Sequence, residues 1–89
     1  MAVRRRLIVH GRVHGVGFRV FVAAAARTRG VAGWVRNRPE GTVEVVLEGE
    51  QEPVESLARL CGEGPRAAWV ARVETLSEEP EGLRGFEIR

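Results

Sequence analysis

Residues 7–29 read LIVHGRVHGVGFRVFVAAAARTR, and within this stretch the backbone pattern changes from strand to helix. Residues 5–13 alternate between apolar and polar side chains, which predicts a half-buried strand with Leu7, Val9 and Val13 on its apolar face. Residues 18–28 repeat apolar side chains at helical spacing, and Gly30 follows as a stop signal, which predicts a helix. The four residues 14–17 therefore join a strand directly to the start of a helix.

This junction breaks two local rules of helix starts. No Ser, Thr, Asp or Asn is present to cap the free N–H groups, and Arg19 puts a cation in the first turn, where the helix dipole disfavours it by ~0.3–1 kcal/mol. Glycine at 15 and 17 allows main-chain N–H groups to turn inward around a ligand. Residues 14–19 therefore predict a site for a small anion, above all a phosphate, with Arg19 as a planar donor. The alternative is an ordinary glycine-containing turn followed by a solvated arginine.

The remaining elements follow from the same kind of pattern. We predict two strands, over residues 31–38 and 42–48, that are joined by a turn at residues 39–41. A second helix over residues 52–61 follows, then a strand over residues 68–76 and a short final strand over residues 85–89. Without the short final strand, the order is β-α-β-β-α-β, which is that of the ferredoxin-like fold, an α+β sandwich with an antiparallel sheet and two helices on one face. We expect one domain over residues 1–89, too small for a second core. Because this fold carries many functions, it does not decide between them.

Asn37 is the other residue whose position is unusual. By alternation it shares a strand face with Val31, Gly33 and Val35, which is an apolar setting for an amide. A carboxamide both donates and accepts hydrogen bonds, so it can hold a water molecule in one orientation. The alternative is an asparagine that bonds the backbone of the neighbouring turn. A pairing of this strand with the first strand would bring Asn37 close to the glycine loop.

The composition excludes several kinds of chemistry. All 14 basic side chains are arginine, all 12 acidic ones are glutamate, and the chain has no lysine, aspartate or tyrosine. A Schiff base, a Ser-His-Asp triad and a lysine-containing P-loop are therefore excluded. The dinucleotide pattern G-x-G-x-x-G fails because Val20 occupies its third glycine position. One cysteine and two histidines four residues apart do not make a convincing zinc site, so we expect no metal.

The sequence also indicates the cellular compartment of the protein and the partners that it lacks. The lone Cys61 excludes an internal disulfide and favours a reducing, cytoplasmic compartment. No apolar run approaches the ~20 residues needed to span a bilayer, and the short alternating run after the first arginines is unlike a signal peptide. A net charge of +2 is weak support for nucleic-acid binding. We therefore expect a cytoplasmic monomer that binds neither nucleic acid nor membrane.

Three separated segments together resemble the acylphosphatases. They are GRVHGVGFR at residues 11–19, GWVRN at residues 33–37 and GTVEV at residues 41–45. The segment GFEIR at residues 85–89 is similar to the last strand of that family, so the resemblance covers nearly the whole chain. The chain departs from the family's usual pattern at His14, where glutamine is frequent, and at Glu40, where aspartate is frequent.

The resemblance implies a hydrolase of acyl phosphates that uses neither metal nor cofactor and releases a carboxylate and inorganic phosphate. By position, Arg19 takes the role of the family's phosphate-binding arginine, and Asn37 that of the asparagine that orients the attacking water. The phosphate cradle is implied to be the backbone of His14, Gly15, Val16, Gly17 and Phe18. The two departures put little in doubt, because the cradle uses N–H groups and position 40 lies in a turn.

Other functions stay open at this point. An RNA-binding module on the same fold would need stacking aromatic residues on its middle strands, and the three phenylalanines lie in the first helix and the last strand. An anion-binding regulatory domain, of the kind found in larger carbamoyl-phosphate-handling enzymes, would bind phosphate without turnover. If the protein is an acyl phosphate hydrolase, His10 or His14 is an alternative candidate for a catalytic residue, as a general base. Cys61 is expected to be a packed, inert side chain.

Overall fold

The computed structural model describes all 89 residues as five strands and two helices. In chain order the elements are β1 (Ala2–Arg12), α1 (Phe18–Arg29), β2 (Ala32–Asn37), β3 (Val43–Glu50), α2 (Gln51–Glu63), β4 (Trp69–Glu78) and β5 (Phe86–Ile88). Every element predicted from the sequence is present, with ends shifted by at most a few residues. Neither helix has the length and apolar character needed to cross a membrane.

The strands form one sheet in the order β4-β1-β3-β2-β5. The first four strands of this order pair antiparallel, whereas the short β5 pairs parallel with β2. The predicted α+β, ferredoxin-like class is confirmed, and the sheet is mixed at one edge instead of antiparallel throughout. The reason lies in residues 79–85, here called the crossover segment. It carries the chain from β4 at one edge to β5 at the other, where β5 enters in the direction of β2.

The strand that ends at Asn37 does not pair with the first strand. β3 lies between them, and its Val43 is opposite Asn37 on one side and opposite Val9 on the other. The pairing of β2 with β1 considered above is therefore not formed. One intervening strand separates Asn37 from Val9 of β1 by about 10 Å. Asn37 still reaches the β1–α1 loop, because it lines one cavity together with Gly15 and Gly17.

The hydrophobic core lies between the sheet and the two helices, on one face of the sheet. The strands supply mostly valine and leucine, and α1 supplies Phe18, Val22, Ala23 and Ala26. From α2 come Val54, Leu57 and Cys61, all fully buried. Each buried leucine or valine contributes roughly 1.5–3 kcal/mol to the free energy of folding. Cys61 is thus a packed side chain, and burial raises the pKa of its thiol to about 12.

The opposite face of the sheet carries charged side chains, and part of it is buried. The carboxylate of Glu48 and the guanidinium of Arg4 form an ion pair of 2.6 Å, with about 5% and 4% of the side chains exposed. Glu48 also accepts hydrogen bonds of 2.9–3.1 Å from the main-chain N–H groups of Glu81, Gly82 and Leu83. One buried carboxylate therefore fastens the crossover segment to the sheet.

Candidate active site

The β1–α1 loop has an alternating backbone. Gly15 and Gly17 have φ angles of +68° and +76°, and no residue other than glycine has a positive φ. The sign of φ therefore alternates from His14 to Phe18. Such alternation turns successive main-chain N–H groups toward the same side of the chain and forms a concave anion-binding nest. Only glycine adopts these angles without strain, which is why both positions are glycine.

The N–H groups of this loop are free of partners within the protein. None of those from Val13 to Gly17 donates a hydrogen bond to the main chain or to a side chain. Gly17 is the N-cap of α1 and provides no side-chain cap, and the first turn of the helix contains no acidic residue. The first N–H groups of α1 also lack acceptors within the helix. The loop and the helix start together present donors and partial positive charge to a ligand.

A small cavity of about 110 Å³ lies beside this loop. Its lining combines the loop, the first turn of α1 and the end of β2, and consists of Val13, Gly15, Gly17, Phe18, Arg19, Val20 and Asn37. Of the residues predicted for the site, the structure thus brings five together here. The side chains of His14 and Val16 do not line the cavity. Val16 is partly buried and packs against the core.

Arg19 is half-buried and is held by a main-chain group. Its Nη1 donates a hydrogen bond of 3.1 Å to the carbonyl oxygen of Arg89, and its other nitrogens bond nothing in the protein. Arg89 is itself fixed, because its N–H donates to the carbonyl oxygen of Val35 in β2 over 2.8 Å. The guanidinium is therefore positioned from one side, and donors remain for an anion.

Asn37 is half-buried, and its carboxamide forms no hydrogen bond within the protein. The turn after β2 is closed without it, by hydrogen bonds from Arg38 N to Thr42 O and from Gly41 N to Arg38 O. The Thr42 hydroxyl donates to Glu40 over 2.9 Å. That bond and the main-chain N–H of Glu40 lower the pKa of the Glu40 carboxyl, the N–H contributing more. The alternative of an asparagine engaged with its own turn is not seen.

The two histidines have partners outside the cavity. His14 Nε2 lies 2.8 Å from the carbonyl oxygen of Thr42. Because a carbonyl oxygen only accepts, Nε2 carries the proton and is not free to act as a base. His10 Nε2 contacts the carboxylate of Glu74 on β4. His14 thus joins the β1–α1 loop to the β2–β3 turn, which follows the strand that ends at Asn37.

Two members of the site were missed by reasoning from the sequence. The carbonyl of Arg89 positions Arg19, and the carbonyl of Thr42 positions His14. Both contribute main-chain atoms, so their side-chain types carry no signal. The family resemblance included both residues, in the segments at 41–45 and 85–89, without giving a reason for their presence.

Comparisons with known proteins identify relatives that match nearly the whole chain. The sequence model of the family described as Acylphosphatase matches residues 5–88. An acylphosphatase of Thermococcus kodakarensis is 55% identical over 86 residues, which are 97% of this chain and 94% of the relative. An acylphosphatase of a Nostoc species is 51% identical over 87 residues, 98% of this chain and 86% of the relative. The crystal structure of acylphosphatase from Bacillus subtilis superposes with a TM-score of 0.94 and 38% identity, covering 100% of this chain and 99% of that one.

Fold, cavity and relatives together define a small α+β hydrolase that acts on a phosphoryl bond. The chain belongs to the acylphosphatase family. Its activity is the hydrolysis of acyl phosphates, the mixed anhydrides of a carboxylic acid and phosphoric acid. The prediction that the protein is an enzyme is confirmed, and the alternative hypotheses of a regulatory domain and of an RNA-binding module are not favoured.

Proposed function

We propose that Arg19 and the main-chain N–H groups of residues 14–18 bind the phosphoryl group, while Asn37 orients the water that attacks phosphorus. The observation that supports this assignment is the cavity of about 110 Å³, in which the only polar side chains are Arg19 and Asn37. Both retain donors without a partner in the protein. Positioning the water and stabilising charge on the phosphoryl oxygens dominate phosphoryl transfer, so few groups are sufficient.

The leaving group explains why the cavity contains no general acid. Hydrolysis expels a carboxylate, whose conjugate acid has a pKa of ~4 and which leaves without being protonated. Asn37 is not a base, so a phosphoryl oxygen of the substrate accepts the proton of the attacking water. The products are a carboxylic acid anion and inorganic phosphate. Neither a metal nor a cofactor is needed in this scheme.

The test is the hydrolysis of benzoyl phosphate in the presence of EDTA by the wild type and by Arg19→Ala. We expect turnover that resists the chelator and falls by about 10²–10³-fold in the variant, the usual cost of removing one donor to the reacting oxygens. Arg59→Ala is the matched control, because Arg59 is exposed on α2 and forms no ion pair.

A folded Arg19→Ala protein with wild-type turnover would refute the assignment of Arg19. A folded wild type that binds phosphate without turning over benzoyl phosphate would instead favour the regulatory domain. Turnover abolished by EDTA and restored by a divalent cation would refute the metal-free scheme.

We further propose that the enzyme acts as a single domain over residues 1–89, as a cytoplasmic monomer and without nucleic acid. The support is the unpaired, fully buried Cys61 and the small net charge of +2. Light scattering over a range of concentrations tests the monomer: a mass near 9.8 kDa throughout is expected, and a concentration-dependent doubling would contradict it.

A further inference from the structure

A second and larger cavity adjoins the candidate active site. It has a volume of about 580 Å³ and is lined by Arg6, Trp34, Arg36, Asn37, Glu44 and Arg89. Asn37 is common to both cavities, since it lies at the end of β2. We call this the Trp34 cavity. The activity described above assigns it no role.

Three guanidinium groups surround one indole in the Trp34 cavity. The guanidinium carbons of Arg6 and Arg36 lie 5.7 Å from the centroid of the Trp34 ring, and that of Arg89 lies 4.8 Å from it. Each cation is within the ~6 Å over which the ring attracts it. With the three cations beside it, the Trp34 residue is only 9% exposed. A flat base or aromatic group therefore finds no free ring face on which to stack.

The carboxylates nearby engage some of these nitrogens and leave others free. Arg6 uses Nε, Nη1 and Nη2 in bonds to Glu44 and Glu78. Arg36 bonds Glu44 only through Nε, at 2.7 Å, so its Nη1 and Nη2 have no partner in the protein. Arg89 contacts Glu87 only through Nε, at 3.5 Å. The unused donors of the cavity therefore belong to Arg36 and Arg89.

The charge of the lining favours an anion. Three guanidinium side chains and one carboxylate side chain line the cavity, so the charges of its lining side chains sum to +2. Both oxygens of Glu44 are occupied, Oε1 by Arg36 and Oε2 by Arg6, so this carboxylate presents no free acceptor. Stacking on Trp34 also restrains Arg36 and Arg89, about half of whose side chains are exposed. Restraint of this kind reduces the entropy lost on binding.

We propose that the Trp34 cavity is a second anion site, which takes a small organic anion carrying at least two acidic groups, carboxylate or phosphate. Two acidic groups are specified because two separate guanidinium groups, those of Arg36 and Arg89, have free terminal nitrogens. A guanidinium binds carboxylate and phosphate oxygens with the same two-pronged geometry.

Occupancy of the second site is linked to the first through Arg89. Its guanidinium lines the Trp34 cavity, while its carbonyl oxygen holds Arg19. An anion bound at Arg36 and Arg89 lowers the positive potential that attracts the substrate phosphate, so each ligand weakens the other's binding by the same factor. This linkage rests on the role proposed for Arg19; the second site itself does not.

The experiment monitors Trp34 by fluorescence in a Trp69→Phe background, in which it is the sole tryptophan. Citrate and pyrophosphate are the probes, and the tighter one identifies the preferred acidic group. We expect a saturable change with either probe, and about tenfold weaker binding in Arg36→Gln and in Arg89→Gln. Tenfold corresponds to the loss of about 1.4 kcal/mol, the lower end of the range for hydrogen bonds to charged groups. Arg59→Gln removes the same charge from α2 and is expected to bind like its parent.

Equal probe affinity in the parent, Arg36→Gln and Arg89→Gln would overturn the second site. Probe affinity that is lost in Arg19→Ala but kept in Arg36→Gln would also overturn the second site, because the probe would then occupy only the first cavity.

The linkage is tested by kinetics. Citrate should raise the KM for benzoyl phosphate in the wild type and should raise it much less in Arg36→Gln. The linkage would be refuted if the KM for benzoyl phosphate stayed unchanged at a citrate concentration that saturates the fluorescence change. Because fluorescence requires no turnover, an inactive enzyme would count against the proposed function alone.

Discussion

At the scale of single residues, the proposed assignment divides the work of the candidate site between main chain and side chains. The small cavity is lined by two polar side chains, those of Arg19 and Asn37, and its other polar groups belong to the backbone. Arg19 borders the loop that begins α1, whereas Asn37 ends β2 across the cavity. This separation allows binding and water positioning to be tested independently.

Replacing Asn37 with alanine removes a carboxamide that holds no part of the fold. We expect kcat for benzoyl phosphate to fall about a hundredfold, as when a single positioned amide donor is lost. The inhibition constant of inorganic phosphate should stay within about twofold of the wild type, because the loop and Arg19 are intact. A loss of phosphate affinity equal to that of Arg19→Ala would contradict the separate roles of the two residues.

His14 is expected to matter for position and not for proton transfer. In His14→Gln the side-chain amide can still donate to the carbonyl of Thr42, so the pH dependence of kcat should not change. In His14→Ala that hydrogen bond is lost, and the free energy of unfolding should fall by about 1 kcal/mol. A pH profile of kcat that changes its shape in His14→Gln would instead identify His14 as the general base.

Several of these residues were recognisable in the sequence for a physical reason. The glycines, the missing helix cap and the cation in the first turn of α1 are local features, and local conflicts are visible without a structure. The contacts of Arg19 with Arg89 and of His14 with Thr42 are not local, since they join residues 70 and 28 positions apart. They also end on carbonyl oxygens, which every residue type possesses.

At the scale of elements, the crossover segment is the part of the fold that a pattern of apolar residues does not predict. Alternation and helical spacing indicate what each element is, but they do not indicate that β3 lies between β1 and β2, or that β5 pairs parallel. Glu48 decides the path of the crossover by accepting three main-chain N–H groups. In the sequence, Glu48 is one of 12 glutamates, and the pattern of residues 42–48 predicts only that a strand ends there.

Glu48→Gln is expected to destabilise the fold severely. The change removes the charge opposite Arg4, a guanidinium that is almost fully buried, and weakens the anchor of the crossover segment. Removing one partner of a buried ion pair costs about 3–5 kcal/mol, to be measured by urea unfolding. Glu63→Gln is the control, because Glu63 is exposed at the end of α2 and forms no ion pair. Equal midpoints for the two variants would show that the anchor contributes little.

At the scale of the whole molecule, arginine–glutamate pairs extend across the sheet face that the helices leave uncovered. Arg4 and Arg6 share Glu78, and Arg6 and Arg36 share Glu44. These pairs join β1 to β4 and β3, and β2 to β3. Hydrogen bonds from Arg6 and then from Arg4 lower the pKa of Glu78 from about 4.5 to about 2. For Glu44 and Glu48 burial alone would raise the pKa, but their hydrogen bonds to arginine, and to main-chain N–H groups at Glu48, lower it.

The sign of these shifts fixes the acid sensitivity of the protein. A carboxyl with a lowered pKa binds fewer protons in the folded state than in the unfolded state, so its contribution is present above its unfolded pKa. We expect the free energy of unfolding to decrease as the pH falls from about 4.5 toward about 2, the pKa of Glu78. In Glu78→Gln the slope over this interval should be shallower, as measured by denaturant unfolding at a series of pH values. Identical slopes would contradict the assignment of the lowered pKa to Glu78.

The alternating backbone from His14 to Phe18 has a consequence for how the gene can vary. A binding surface made of N–H groups is the same whichever side chains project from it, provided that Gly15 and Gly17 keep their positive φ angles. In a saturation library screened for turnover, positions 15 and 17 should therefore accept few replacements, whereas position 14 should accept side chains that still donate to Thr42 O and position 16 apolar ones that still pack against the core. If the loop binds the phosphate as proposed, the two glycines are constrained by backbone shape, and the residues between and before them only by their own contacts with Thr42 and the core.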